Sequence, residues 1–119
     1  MGITSTKLVL KNPANLAKSV QGDFLVDSGA HYTVVPKRMV TKLNLKASYV
    51  QEFSLADGKI IRRSIGSAFV SLEGKEFAVP VVLGEQNDSA LLGVTTLEAF
   101  GLMLDPFKRT LYHSKLMLA

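Results

Sequence analysis

Apolar residues along this chain recur mostly in short runs with a period of two, interrupted by turn residues, which predicts strands. Residues 7–11 form the first run, and Asn12-Pro13-Ala14-Asn15 breaks it. Residues 19–26 lead back as a second strand. Val34-Val35 precede Pro36, which suits the first turn of a helix. Met39, Val40 and Leu43 then share one helical face, and Asn44 is the predicted stop. From Tyr49 the period returns to two. Residues 51–55 and 59–62 flank Ala56-Asp57-Gly58, and Asp-Gly between two such runs is a strong hairpin signal. Residues 68–72 and 77–83 flank Glu73-Gly74-Lys75-Glu76 as a second hairpin, with Pro80 marking an edge strand or a bulge. After a polar loop at 85–89, residues 90–93 read as a buried strand ending in glycine. Thr95-x-x-Glu98 reads as a capping box that opens a short helix through Phe100, ended by Gly101. Residues 102–105, a turn at 106–108 and residues 110–118 predict a final hairpin. The pattern is that of a mostly β domain with many short antiparallel strands and one or two short helices.

Composition narrows the picture. The 119 residues fit a single domain, residues 1–119, and 47% hydrophobic content is enough for a packed core. The absence of cysteine excludes a disulfide framework, a thiolate nucleophile and Cys-ligated zinc, and leans towards a cytoplasmic location. Neither a membrane-spanning apolar run nor a signal-peptide core is present, so no membrane partner is expected. The net charge of +4 is spread in single residues and three basic doublets, without interleaved aromatics. It reads as a solubility feature, with no nucleic-acid partner expected. His31 and His113 lack metal-ligand spacing with nearby carboxylates, so neither a metal nor another cofactor is expected. A Gly-x-Ser-x-Gly elbow and a glycine-rich phosphate loop are both missing.

The candidate chemistry lies at residues 24–30, Phe-Leu-Val-Asp-Ser-Gly-Ala. Asp27 ends an apolar strand, where a carboxylate is costly to bury unless hydrogen-bonded, paired or neutralised. Ser28 adds a short hydroxyl, and Gly29 lets the backbone turn tightly and approach another group. A catalytic carboxylate on a rigid loop fits this pattern. An ordinary strand-to-turn junction uses the same residue types.

The stretch resembles the Asp-Thr/Ser-Gly signature of aspartic proteases, and the resemblance widens to the retropepsin-like family, especially its small cellular members. Leu25-Val26-Asp27-Ser28-Gly29-Ala30 is followed by Thr33 and Val34, as in the family pattern. The Ala56-Asp57-Gly58 hairpin falls where the family has its flap. Leu91-Leu92-Gly93 matches the hydrophobic-hydrophobic-Gly element that packs behind the catalytic loop, and a short helix with Gly101 follows.

This resemblance implies a closed-barrel acid-protease fold and an aspartic endopeptidase acting on a peptide or protein substrate. Asp27 would be the catalytic carboxylate, Ser28 would bond across a twofold axis, and Gly29 would lie beside carboxylate and substrate. Ala30, Asp57 and Gly58 would bind substrate, and fold analogy adds Val34, Ile60 and Val82 as pocket residues. Thr33, Leu91, Leu92 and Gly93 would support the loop. Asp-Ser/Thr-Gly occurs once, since Asp88-Ser89-Ala90 lacks the glycine. The second carboxylate must then come from an identical copy, implying a homodimer. A non-catalytic dimerisation or peptide-binding module of the same fold is the alternative. Two positions depart from the retroviral pattern: His31 replaces an acidic residue, and Val94 replaces the arginine after Gly93. A salt bridge that helps clamp the retroviral dimer is therefore missing. Apolar residues in 111–118 offer pairing either within or between subunits.

Overall fold

The computed structural model describes residues 4–115 and 118. Nine strands and two helices are formed among the described residues. Strands β1 (Ser5–Asn12) and β2 (Asn15–Val26) make the first hairpin, followed by β3 (Thr33–Val35) and α1 (Lys37–Leu43). Strands β4 (Tyr49–Ser54), β5 (Ile60–Leu72) and β6 (Lys75–Leu83) form the central meander. Strand β7 (Leu91–Leu92), α2 (Val94–Ala99), β8 (Leu102–Asp105) and β9 (Thr110–His113) complete the chain.

Seven strands form one sheet in the order β1-β2-β7-β3-β6-β5-β4, and β1 also pairs with β5 through Val9↔Ser71 to Lys11↔Phe69. That extra pairing links the two halves of the order and wraps the sheet around its core. Leu8 and Leu10 of β1, Phe24 of β2, Val35 of β3, Val70 of β5, Val81 of β6 and Leu92 of β7 are fully buried there. Met39 and Leu43 of α1 and Leu97 of α2 cover the core. No helix among the described residues is long and apolar enough to cross a membrane.

Several boundaries differ from the sequence expectation for identifiable reasons. Residues 59–62 and 68–72 belong to one 13-residue strand, β5. Its polar middle, Arg63-Ser64-Ile65-Gly66-Ser67, disguises the continuity because β5 changes partners there. The tip half pairs with β4 as far as Tyr49↔Ile65, and the rest pairs with β6 from Ser64↔Leu83 onwards. Pro80 lies opposite Ser67 of β5, whereas β3 pairs with β6 only from Val81, so the missing N–H falls where β6 is locally an edge.

Helix α1 ends as expected on Asn44, which takes the left-handed conformation with φ of 55°. Asn12, read from sequence only as a turn residue, also caps this helix. Its Nδ2 donates to the Leu43 and Asn44 carbonyls at 2.8 and 3.2 Å. The predicted capping box does not form: α2 begins at Val94, and Gly93 occupies the N-cap without a side-chain bond. The final hairpin is a separate two-stranded sheet, β8–β9, with Leu102 opposite His113. Leu116 and Met117, part of the predicted last strand, lie outside the described residues.

Candidate active site

Asp27 follows directly on β2, which runs parallel to β7 with Val26 opposite Leu92. Its own N–H continues that ladder, donating to the Leu92 carbonyl at 3.0 Å. The carboxylate is held from the other side: Gly29 N–H donates to Asp27 Oδ1 at 2.8 Å, and Ala30 N–H donates to the Asp27 carbonyl at 3.1 Å. Asp27 is half-buried, while Ser28 and Gly29 face outward. The turn therefore leaves the acid partly accessible while its backbone stays fixed to the sheet.

The loop is held from behind by the start of α2. The Val94 and Thr95 N–H groups donate to the carbonyls of Ala30 and His31 at 2.8 and 2.9 Å. These first-turn donors would otherwise lack partners, so the loop backbone does the work expected of the Thr95 side chain. Gly93 is what permits the approach. A Cβ there would lie 2.4 Å from both the carbonyl carbon and oxygen of Tyr32, and 2.9 Å from the Ala30 oxygen. Thr33 and Thr96, both fully buried, share a hydroxyl–hydroxyl hydrogen bond of 2.6 Å. Thr33 Oγ1 also accepts the Gly93 N–H at 3.1 Å. Thr33, Leu91, Leu92 and Gly93 thus meet behind Asp27 as one hydrogen-bonded unit, to which the structure adds Thr96.

Beside the loop lies a cavity of about 400 Å³. Gly29, Ala30, Val34, Val82 and Leu91 line one side. Phe53, Leu55 and Ile61 of the β4–β5 hairpin line the other, so the hairpin overhangs the cavity. Ile60 does not contribute. It is 65% exposed, and its neighbour Ile61 takes the inner face opposite Phe53. The Ile60-Ile61 doublet hides this choice in sequence, because one residue of register decides which side chain points inward. Counting from the turn, with Phe53 as the inward cross-strand partner, identifies Ile61.

Asp57 and Gly58 sit at the exposed hairpin tip and do not line the cavity. The Asp57 carboxylate accepts the Lys59 N–H at 2.9 Å, and Gly58 N–H donates to the Leu55 carbonyl at 2.9 Å, so both serve the turn.

Aromatic side chains connect loop and hairpin, and of these Tyr32, Tyr49 and Phe53 carry no functional signal in the sequence. Tyr32 packs edge-on against Phe53 with centroids 6.2 Å apart, and His31 stacks edge-on to Tyr32 at 4.7 Å. A hydrogen bond with Tyr32 holds the Tyr49 phenol above its ordinary pKa. Arg63 and Asp88 form a forked ion pair in the cavity wall, with Nε to Oδ2 at 2.7 Å and Nη2 to Oδ1 at 3.1 Å. This pairing raises the Arg63 pKa and holds the Asp88 carboxyl below the usual carboxylate range. No cluster of three or more metal-ligating side chains occurs among the described residues.

Comparison with solved structures places this geometry. The chain is similar to EIAV protease, solved in complex with the inhibitor HBY-793, with a TM-score of 0.62 at 14% identity. The match covers 98% of this chain and 94% of that one. It is also similar to a retropepsin-like aspartic protease from Rickettsia conorii, with a TM-score of 0.53 at 26% identity. That match covers 89% of this chain and 97% of the other. No curated protein matches the sequence significantly. The family model for gag-polyprotein putative aspartyl protease matches residues 16–99, a span that holds the Asp27 loop, the overhanging hairpin and the Leu91-Leu92-Gly93 support. With the retropepsin fold built around that span, the chain belongs to this aspartyl protease family.

Proposed function

We propose that this chain is an aspartic endopeptidase whose site forms from two copies of Asp27 in a homodimer. The observation that carries the reading is the fixed Asp27 loop beside an overhung cavity. One carboxylate per chain is tied to β7 by its backbone and to Gly29 by its side chain, while Gly29 and Ala30 continue into the cavity wall.

Two carboxyls brought together by a twofold axis share one proton, because both cannot ionise at close range. The ionised Asp27 takes a proton from a water as its oxygen attacks the scissile carbonyl carbon. The protonated Asp27 gives its proton to the carbonyl oxygen. Collapse of the tetrahedral adduct breaks the C–N bond, with a proton returned to the leaving nitrogen. Ser28, which faces outward, bonds to its mate's loop. Main-chain groups of Gly29 and Ala30 take the peptide as an added strand, Val34 and Val82 receive side chains, and the Asp57-Gly58 hairpin closes over the substrate.

The test is cleavage of apolar peptides in acid, with inhibition by a statine-type peptide. The expected result is a bell-shaped pH profile, with activity abolished in Asp27→Asn. Activity unchanged in that variant would overturn the assignment.

A further inference from the structure

We infer that the Arg63–Asp88 ion pair is a hinge clamp that sets the angle of the β4–β5 hairpin over the cavity. Arg63 and Asp88 thereby act as positioning residues for substrate capture, a role that rests on the peptidase reading above. The argument begins with strand pairing. Ser64 is the last residue of β5 joined to β6, opposite Leu83. Beyond it, Ile60 to Arg63 pair with Ser54 to Gln51 of β4 and form a two-stranded arm. Arg63 is the first residue of that arm. Two-stranded hairpins are marginal on their own, so the arm's angle depends on its ties to the body.

The clamp has the chemistry for that task. The Arg63 guanidinium reaches Asp88, in the loop between β6 and β7, with two hydrogen bonds, and its Nη1 donates to the Arg62 carbonyl at 2.8 Å. Asp88 is itself fixed, since its Oδ2 accepts the Glu85 N–H at 2.8 Å and its own N–H donates to the Glu85 carbonyl at 3.0 Å. Both side chains are about four-fifths buried, at 20% and 23% exposure. A planar fork on a carboxylate fixes orientation as well as distance. The neighbouring Arg62–Glu52 pair differs: it lies within the arm, at 73% and 57% exposure, and ties it to nothing else. The aromatic contact with Tyr32 acts on Phe53 of β4, whereas the fork is a directional tie on β5.

Hydrogen exchange and peptide-cleavage kinetics on Arg63→Gln, Asp88→Asn and Arg63→Lys test the clamp. Asparagine keeps an acceptor for the Glu85 N–H, so its effect reports the lost pair rather than a collapsed loop. In Arg63→Gln and Asp88→Asn, amides of the β4–β5 arm should exchange roughly tenfold faster while those of β1–β2 are unchanged. KM should rise about tenfold with kcat within about twofold. Arg63→Lys, which keeps the charge but loses the fork, should fall between these variants and the wild type. Arm exchange equal to wild type, or a uniform rise that includes β1–β2, would overturn the clamp. Faster arm exchange with unchanged KM would overturn the positioning role. Failure of the peptidase reading shows itself separately, as wild-type protein that does not cleave or cleavage that survives Asp27→Asn. The exchange measurement still decides the clamp in that case.

Discussion

Replacing Thr33 by valine tests whether the Asp27 loop is held by buried hydroxyls. Valine keeps the shape and removes one oxygen that serves two partners, the Thr96 hydroxyl at 2.6 Å and the Gly93 N–H at 3.1 Å. Both lose their bond in a place that water does not reach, since Thr33 and Thr96 have no exposed surface. A buried polar group without a partner costs about 1–3 kcal/mol, so two cost about 2–6 kcal/mol. The added methyl returns about 1 kcal/mol of that. The net expectation is a loss of about 1–5 kcal/mol. Thr96→Val is milder, because Thr33 still accepts from Gly93 and only its own proton lacks a partner. In the double variant both hydroxyls are gone and only the Gly93 N–H is orphaned. The two single losses together orphan two more groups than the double does, so they should exceed it by about 2–6 kcal/mol. Urea unfolding followed by circular dichroism measures all four proteins, at one chain concentration because association adds to apparent stability. Thr33→Val within about 0.5 kcal/mol of wild type, or strictly additive losses, would refute the argument.

Two further substitutions probe the same region. Gly93→Ala places a methyl 2.4 Å from the Tyr32 carbonyl, where ordinary contact begins at 3.4 Å, so the loop must withdraw by about an ångström. The expected result is about 1–3 kcal/mol lost in thermal unfolding and roughly a hundredfold lower kcat/KM. The Arg63 hydrogen bonds depress the Asp88 pKa in the folded chain, so the stability they supply is complete above the unfolded carboxylate value of about 3.9 and is lost as pH falls through the folded value. Urea midpoints from neutral to acid pH should therefore show Asp88→Asn less stable than wild type at neutrality, with the gap closing in acid.

Features set by local chemistry were legible in the sequence. Asp57-Gly58 demanded a turn, Asn44 tolerated the left-handed stop, and the apolar run ending at Asp27 announced a strand delivering a carboxylate. What escaped was set by partners far along the chain. The start of α2 is capped by carbonyls of Ala30 and His31, so no local capping signal marks it. Asn12 reads as a turn residue, yet its amide caps a helix 31 residues away. Thr96 looks like any helical threonine until α2 packs against β3. Arg63 and Asp88 are separated by 25 residues, and neither has a neighbour in sequence that suggests a pair. Ile60 and Ile61 are chemically identical, and only strand register distinguishes the cavity residue from the exposed one.

Mixing wild-type protein with an Asp27→Asn variant bears most directly on the central claim. If two chains must each give a carboxylate, an equal mixture at fixed total concentration leaves about one quarter of dimers with both, and activity falls to about one quarter of the undiluted wild type. An activity of about one half, as expected when each chain works alone, would contradict it.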